Sequence, residues 1–71
     1  MRFNYSKLRG KIKECFDTQS RFAKKVGISE RALSMKLNNL SCFTQEEMLK
    51  IIQHLNIQSE EISDYFFRIK D

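Results

Sequence analysis

The stretch Gln19-Ser-Arg-Phe-Ala-Lys-Lys-Val-Gly-Ile-Ser-Glu-Arg-Ala-Leu-Ser-Met-Lys-Leu-Asn38 decides how the chain folds. It reads as two short amphipathic helices joined by a turn. Asp17-Thr18 offers side-chain oxygens to cap the first helix, expected over about residues 18–26, whose apolar positions Phe22, Ala23 and Val26 share one face. Gly27 follows where a helix most readily ends in the left-handed conformation that disfavours a Cβ. Ile28 then turns inward, and Ser29 caps a second helix, expected over about residues 29–38, with Leu33 and Leu37 facing in four apart. Ala23 is small enough to let the two helices approach at a steep angle. These are the parts of a helix-turn-helix, whose second helix enters the DNA major groove.

At Gln19, Ala23, Gly27, Ile28, Ser29, Leu33 and Asn38 the spacing resembles that of the Cro/repressor class of helix-turn-helix proteins, the small regulators of temperate bacteriophages. The phrase Lys-Leu-Asn-Asn after the second helix and the ending Glu-Glu-Ile-Ser-Asp-Tyr-Phe-Phe resemble a branch from phages of Gram-positive bacteria. The resemblance spans nearly the whole chain, with two departures. Lys36 stands where the class places an apolar residue, which leaves Leu37 to carry that core contact. Asn39 replaces a glycine, and asparagine is the residue that best tolerates the same left-handed turn. The implied fold is all-α, a five-helix lambda-repressor-like DNA-binding domain covering residues 1–71 as one unit.

The resemblance also implies a site. Base contacts fall at the positions of Glu30, Arg31 and Met35, with Ser34 on the same outward face. Arg31 has the planar fork that grips guanine. Glu30 would repel phosphate unless it accepts a hydrogen bond from a cytosine amino group. Phosphate contacts are expected from Gln19 and Ser29 at helix N-termini, from Asn38 beyond the recognition helix, and from Lys24 and Lys36.

Seventy-one residues make one small domain with a marginal core. The absence of proline and the helical spacing of the apolar residues favour a helical bundle. No apolar run approaches a membrane span and no signal peptide opens the chain, so the expected location is the host bacterial cytoplasm. Two cysteines and one histidine cannot supply a zinc quartet, and neither metal nor cofactor is expected. Cys15 is placed on the apolar face of helix 1, and Cys42 in a loop. Charge is unevenly spread. Residues 1–41 carry ten Lys or Arg against three acids, 10 − 3 = +7, while residues 42–71 carry three against six, 3 − 6 = −3. A basic half that holds the helix-turn-helix suits a polyanion.

Helix 1 is expected from about Asn4 to Phe16, with Tyr5, Leu8, Ile12, Cys15 and Phe16 inward. Leu40 and Phe43 should tuck back onto the core. Thr44-Gln45-Glu46-Glu47 has the form of a capping box that opens helix 4, which runs through Leu55, and His54 sits at the edge of its buried stripe. A fifth helix from Ser59 would align Ile62, Phe66 and Ile69 toward the core and turn Tyr65 and Phe67 outward. Relatives of the resembled class pair through this end, which makes Tyr65 and Phe67 the expected homodimer interface and the operator an imperfect palindrome with half-sites about 34 Å apart. In a monomer both rings would instead fold back over Tyr5 or Phe16.

Nothing in the chain sets a nucleophile beside an oriented base, so catalysis is not expected. Two functions remain open. One is a Cro-like repressor that occupies double-stranded operator DNA as a homodimer. The other is a phage antirepressor or modulator that binds a partner repressor's DNA-binding domain.

Overall fold

The computed structural model describes residues 2–70. Five α-helices follow in order: α1 (Ser6–Phe16), α2 (Gln19–Val26), α3 (Glu30–Leu37), α4 (Gln45–Leu55) and α5 (Ile62–Phe66), the last preceded by a 3-10 turn at Ser59–Glu61. The expected all-α, five-helix architecture is therefore present, with α2 and α3 packed against each other across the turn at Gly27.

Local side chains set most helix starts. The Thr18 hydroxyl accepts from Arg21 N–H, and the Ser29 hydroxyl from Ala32 N–H, both at 3.1 Å. Thr44 and Glu47 form the full capping box: Glu47 N–H donates to the Thr44 hydroxyl at 3.1 Å, and Thr44 N–H to the Glu47 carboxylate at 2.8 Å. Each such cap contributes about 0.5–2 kcal/mol. Left-handed residues end the helices: Gly27 after α2 (φ 79), Asn39 beyond α3 (φ 63) and Asn56 after α4 (φ 54).

The core gathers Leu8 and Ile12 from α1, Phe22, Ala23 and Val26 from α2, Leu33 and Leu37 from α3, Ile51 and Leu55 from α4, and Tyr65 and Phe66 from α5. Burying each large side chain contributes roughly 1.5–3 kcal/mol. Two aromatic groups bind the edges. Phe16 packs on Phe22 at 5.0 Å, while Tyr5, Phe43 and Phe66 meet edge-to-face at 5.5 and 5.7 Å.

The ends of the chain depart from the sequence reading. Arg2–Asn4 is extended and pairs with Arg68–Lys70 through an antiparallel bridge, Phe3 to Ile69. Asn4 N–H donates to the Arg68 carbonyl at 2.7 Å and Lys70 N–H to the Arg2 carbonyl at 2.9 Å. Helix α1 consequently begins at Ser6 rather than Asn4, and α5 stops at Phe66. With the helix cut short, Ile69 is half exposed in the bridge instead of closing the core, and Tyr65 is 5% exposed. Tyr65 is thus a core residue, held under the Lys7 ammonium 4.7 Å above its ring, and it is not available as an interface residue. Phe67 is half exposed as expected. Two smaller expectations also fail. Cys15 is exposed, because the α1 stripe runs through Leu8 and Ile12 and Phe16 takes the contact with α2. Leu40 is 71% exposed, because the turn after α3 directs it outward.

Candidate interaction surface on helix α3

Helix α2 lies close against α3 because Ala23, facing it, is a buried methyl group. Ile28 N–H donates to the Ala23 carbonyl at 2.9 Å, which fixes the turn and aims α3. With Leu33 and Leu37 buried, helical geometry turns Glu30, Arg31 and Met35 outward, with Ser34 half-buried beside them. The sequence expectation therefore places these four on one accessible face.

The expected phosphate contacts divide. Lys24 is exposed on α2, and Gln19 is half-buried at its first turn. The Ser29 hydroxyl is used by Ala32 N–H as a cap. Asn38 is engaged at both ends of its amide: it donates to the Ser34 carbonyl at 2.9 Å and accepts from Arg9 Nη2 at 2.9 Å. That same Arg9 nitrogen donates to the Leu37 carbonyl at 3.2 Å, so Arg9 and Asn38 together close the C-terminus of α3.

Lys36 is a correction. Its ammonium lies 3.1 Å from the Glu47 carboxylate and donates to the Cys42 carbonyl at 3.2 Å, with only 12% of the side chain exposed. It ties the end of α3 to the start of α4 and does not point at a phosphate. Burial pushes the Glu47 carboxyl up, but the Thr44 backbone N–H and the Lys36 ammonium outweigh it and hold the group below its ordinary value. A carboxylate lowered in the folded state stabilises fully above its unfolded pKa, about 4.3, and loses that contribution as pH falls through the lower folded value. Urea midpoints measured from about pH 6 to about pH 3 should therefore fall more steeply for the wild type than for Glu47→Gln. Parallel curves would show that the pair is not formed.

With Lys36 withdrawn, and with Asn38 exposed but bonded to Ser34 and Arg9, Arg31 is the free cation offered by α3. Apolar surface adjoins it. Asn39 and Leu40 donate to the Lys36 and Met35 carbonyls at 3.2 and 2.8 Å, the two bonds of a Schellman motif that brings Leu40 back to Met35. Met35 is 37% exposed, so this face carries an acid, a cation and two apolar side chains beside the polar Ser34 and Asn38. Sequence reasoning missed Leu40, although its place one residue after a left-handed asparagine was a usable signal.

Elsewhere, Phe3, Tyr5, Phe43, Met48, Phe66 and Phe67 wall a pocket of about 240 Å³, with no histidine or carboxylate in its lining among the described residues. No group of three or more His, Cys, Asp or Glu among the described residues could hold a metal. No helix among them is long and apolar enough to cross a membrane.

The family model described as "Protein of unknown function (DUF739)" matches residues 1–69. The chain belongs to the DUF739 family. Among solved structures, this DUF739 chain is similar to the modulator of repression (MOR) of the temperate bacteriophage TP901-1 from Lactococcus lactis. The two are 39% identical, with a TM-score of 0.81 over 99% of this chain and 97% of that one. No curated protein sequence matches.

Proposed function

We propose that this chain is a phage modulator of repression that acts by protein contact, binding the DNA-binding domain of a partner repressor through the outward face of α3. The observation that carries this reading is the makeup of that face. Lys36 is withdrawn into its pair with Glu47, and Asn38, though exposed, is already bonded to Arg9 and Ser34, so Glu30, Arg31, Met35 and Leu40 are the uncommitted side chains a partner would meet. A DNA-reading helix needs cations and donors, whereas exposed Met and Leu beside an acid suit a protein. A repressor's own DNA-reading surface is basic, and Glu30 would complement it. The 39% identity to a modulator of repression agrees with this reading. Regulation without catalysis belongs to it.

Titration calorimetry of the chain against the repressor encoded by the same phage tests the proposal. Binding is expected, and Glu30→Arg or Met35→Glu should each weaken it by about 2 kcal/mol, roughly 30-fold, without loss of helicity. Tight binding that ignores both substitutions would move the contact elsewhere. Absence of binding, together with sequence-specific binding of the chain alone to operator DNA, would sink the proposal.

That second outcome is the Cro-like reading, operator occupancy by a homodimer. The exposed cations Lys24 and Lys25 on α2, with Arg31 on α3, favour it. A gel shift with DNA flanking the gene separates the two. Under the Cro-like reading Arg31→Ala costs about 1–3 kcal/mol on the specific site alone. Phe67, without Tyr65, would then remain the exposed aromatic for a dimer contact.

A further inference from the structure

The two extended ends form a ribbon whose edges are treated differently. Phe3 and Ile69 face each other, and the bonds on either side of them run from Asn4 to Arg68 and from Lys70 to Arg2. In an antiparallel ladder of that register, the N–H and C=O of Phe3 and of Ile69 point away from the ribbon on opposite sides. On the Phe3 side the edge is closed by a side chain. Asn39 Oδ1 accepts from Phe3 N–H at 2.8 Å, and Asn39 Nδ2 donates to the Phe3 carbonyl at 2.9 Å, so the amide stands where a third strand would be. On the Ile69 side neither backbone group has a partner among the described residues. One edge is capped and the other is open.

The faces differ as well. Alternation along the two strands puts Phe3 and Ile69 on one face and Arg2, Asn4, Arg68 and Lys70 on the other. Arg2, Arg68 and Lys70 are exposed, and none pairs with an acid among the described residues. Ile69 is 52% exposed, and Phe67 beside it 50%.

We infer that the Arg68–Lys70 edge receives an extended segment of a protein partner by strand addition, and that this segment alternates acidic and apolar residues. Ile69 supplies one donor and one acceptor to the incoming backbone, as edge addition requires. Acidic side chains of the segment lie across from Arg68 and Lys70, and its apolar side chains lie beside Ile69 and Phe67. Charge decides against a second copy as the occupant. Antiparallel self-pairing about Ile69 sets Arg68 of one chain opposite Lys70 of the other, twice, and like charges directly opposite destabilise a sheet. An acidic strand turns the same two positions into attractions. The inference does not depend on what α3 binds.

The probes are two synthetic peptides, acetyl-(Glu-Val)₃-amide and acetyl-(Lys-Val)₃-amide, added to the isotope-labelled full chain and followed by amide NMR. The acidic peptide is expected to shift the Ile69 amide and slow its exchange, while the α3 amides stay in place. Arg68→Glu combined with Lys70→Glu should weaken that binding about tenfold, since each cross-strand charge pair contributes up to about 1 kcal/mol. Both residues are exposed, so the amide spectrum of the double variant should otherwise match the wild type and confirm its fold. Raising salt from about 50 mM to about 500 mM should weaken the complex. Any one of three results overturns the inference: no response to the acidic peptide, an equal response to the basic one, or an Ile69 shift that depends on protein concentration alone. The last would make the occupant a second copy.

Discussion

Phe22→Ala is expected to remove about half of the folding free energy of this chain. Phe22 is fully buried on α2, the helix that packs against α1, α3 and α4, and its ring meets Phe16 edge-on at 5.0 Å. Truncating a buried phenylalanine costs about 3–5 kcal/mol, the lost transfer energy plus the cavity left behind. At about 0.05–0.15 kcal/mol per residue, a 71-residue domain has about 4–10 kcal/mol in total. Urea denaturation followed by circular dichroism should bring the midpoint of the variant down to roughly half that of the wild type. Leu49→Ala is the control: Leu49 is 55% exposed on α4, and its loss should move stability by no more than about 0.5 kcal/mol. If the two variants melt alike, the α2 core is not packed around Phe22.

The second large effect belongs to Asn39, which does two things at once. Its backbone is left-handed at φ 63, and its side-chain amide closes the edge of Phe3 with two hydrogen bonds. Asn39→Ala loses both roles. The conformational strain costs about 1–2 kcal/mol and each hydrogen bond about 0.5–1.5 kcal/mol. A total near 3 kcal/mol corresponds to a drop in Tm of roughly 12–24 °C in a domain of this size. Asn39→Gly keeps the left-handed backbone and loses only the amide, so its Tm should fall about half as far. Calorimetry on both variants measures the split. Equal losses would mean that the turn imposes no strain on alanine and that the clamp alone matters.

Asn39 also shows where the sequence was legible and where it was not. Its left-handed turn could be read because asparagine in place of glycine after a helix is a local signal. Its clamp on Phe3 spans 36 residues, and no local pattern announces it. The same division runs through the fold. The caps at Thr18, Ser29 and Thr44–Glu47 are contacts within three residues, and the inward faces of α2 and α3 follow from spacing, so all of these were readable. The failures were set by distant partners. Lys36 looked like a surface cation because Glu47, its partner, lies on the next helix. The run from Ile62 to Ile69 looked like one continuous helix because nothing in it marks Phe66 as the end. Beyond that end Arg68–Lys70 pairs with Arg2–Asn4, and the packing of α5 on α1 turns Tyr65 inward. The outward quartet Glu30, Arg31, Ser34 and Met35 was placed correctly. That the neighbouring Lys36 and Asn38 are already committed to Glu47 and to Arg9 and Ser34 was visible only in the structure.

The pairing of Phe3 with Ile69 joins residues 69 − 3 = 66 apart in sequence. Closing a loop of that length in an unfolded chain costs about 4 kcal/mol of entropy, more than two backbone hydrogen bonds at about 1 kcal/mol each return. The closure is made cheaper by α5 packing on α1, which shortens the effective loop to the few residues outside Ser6 and Phe66. The helices therefore hold the ribbon together, and the ribbon does not hold the helices. Opening the ribbon would break its two backbone bonds and the Asn39 clamp on Phe3, and would leave the helix contacts of the bundle in place.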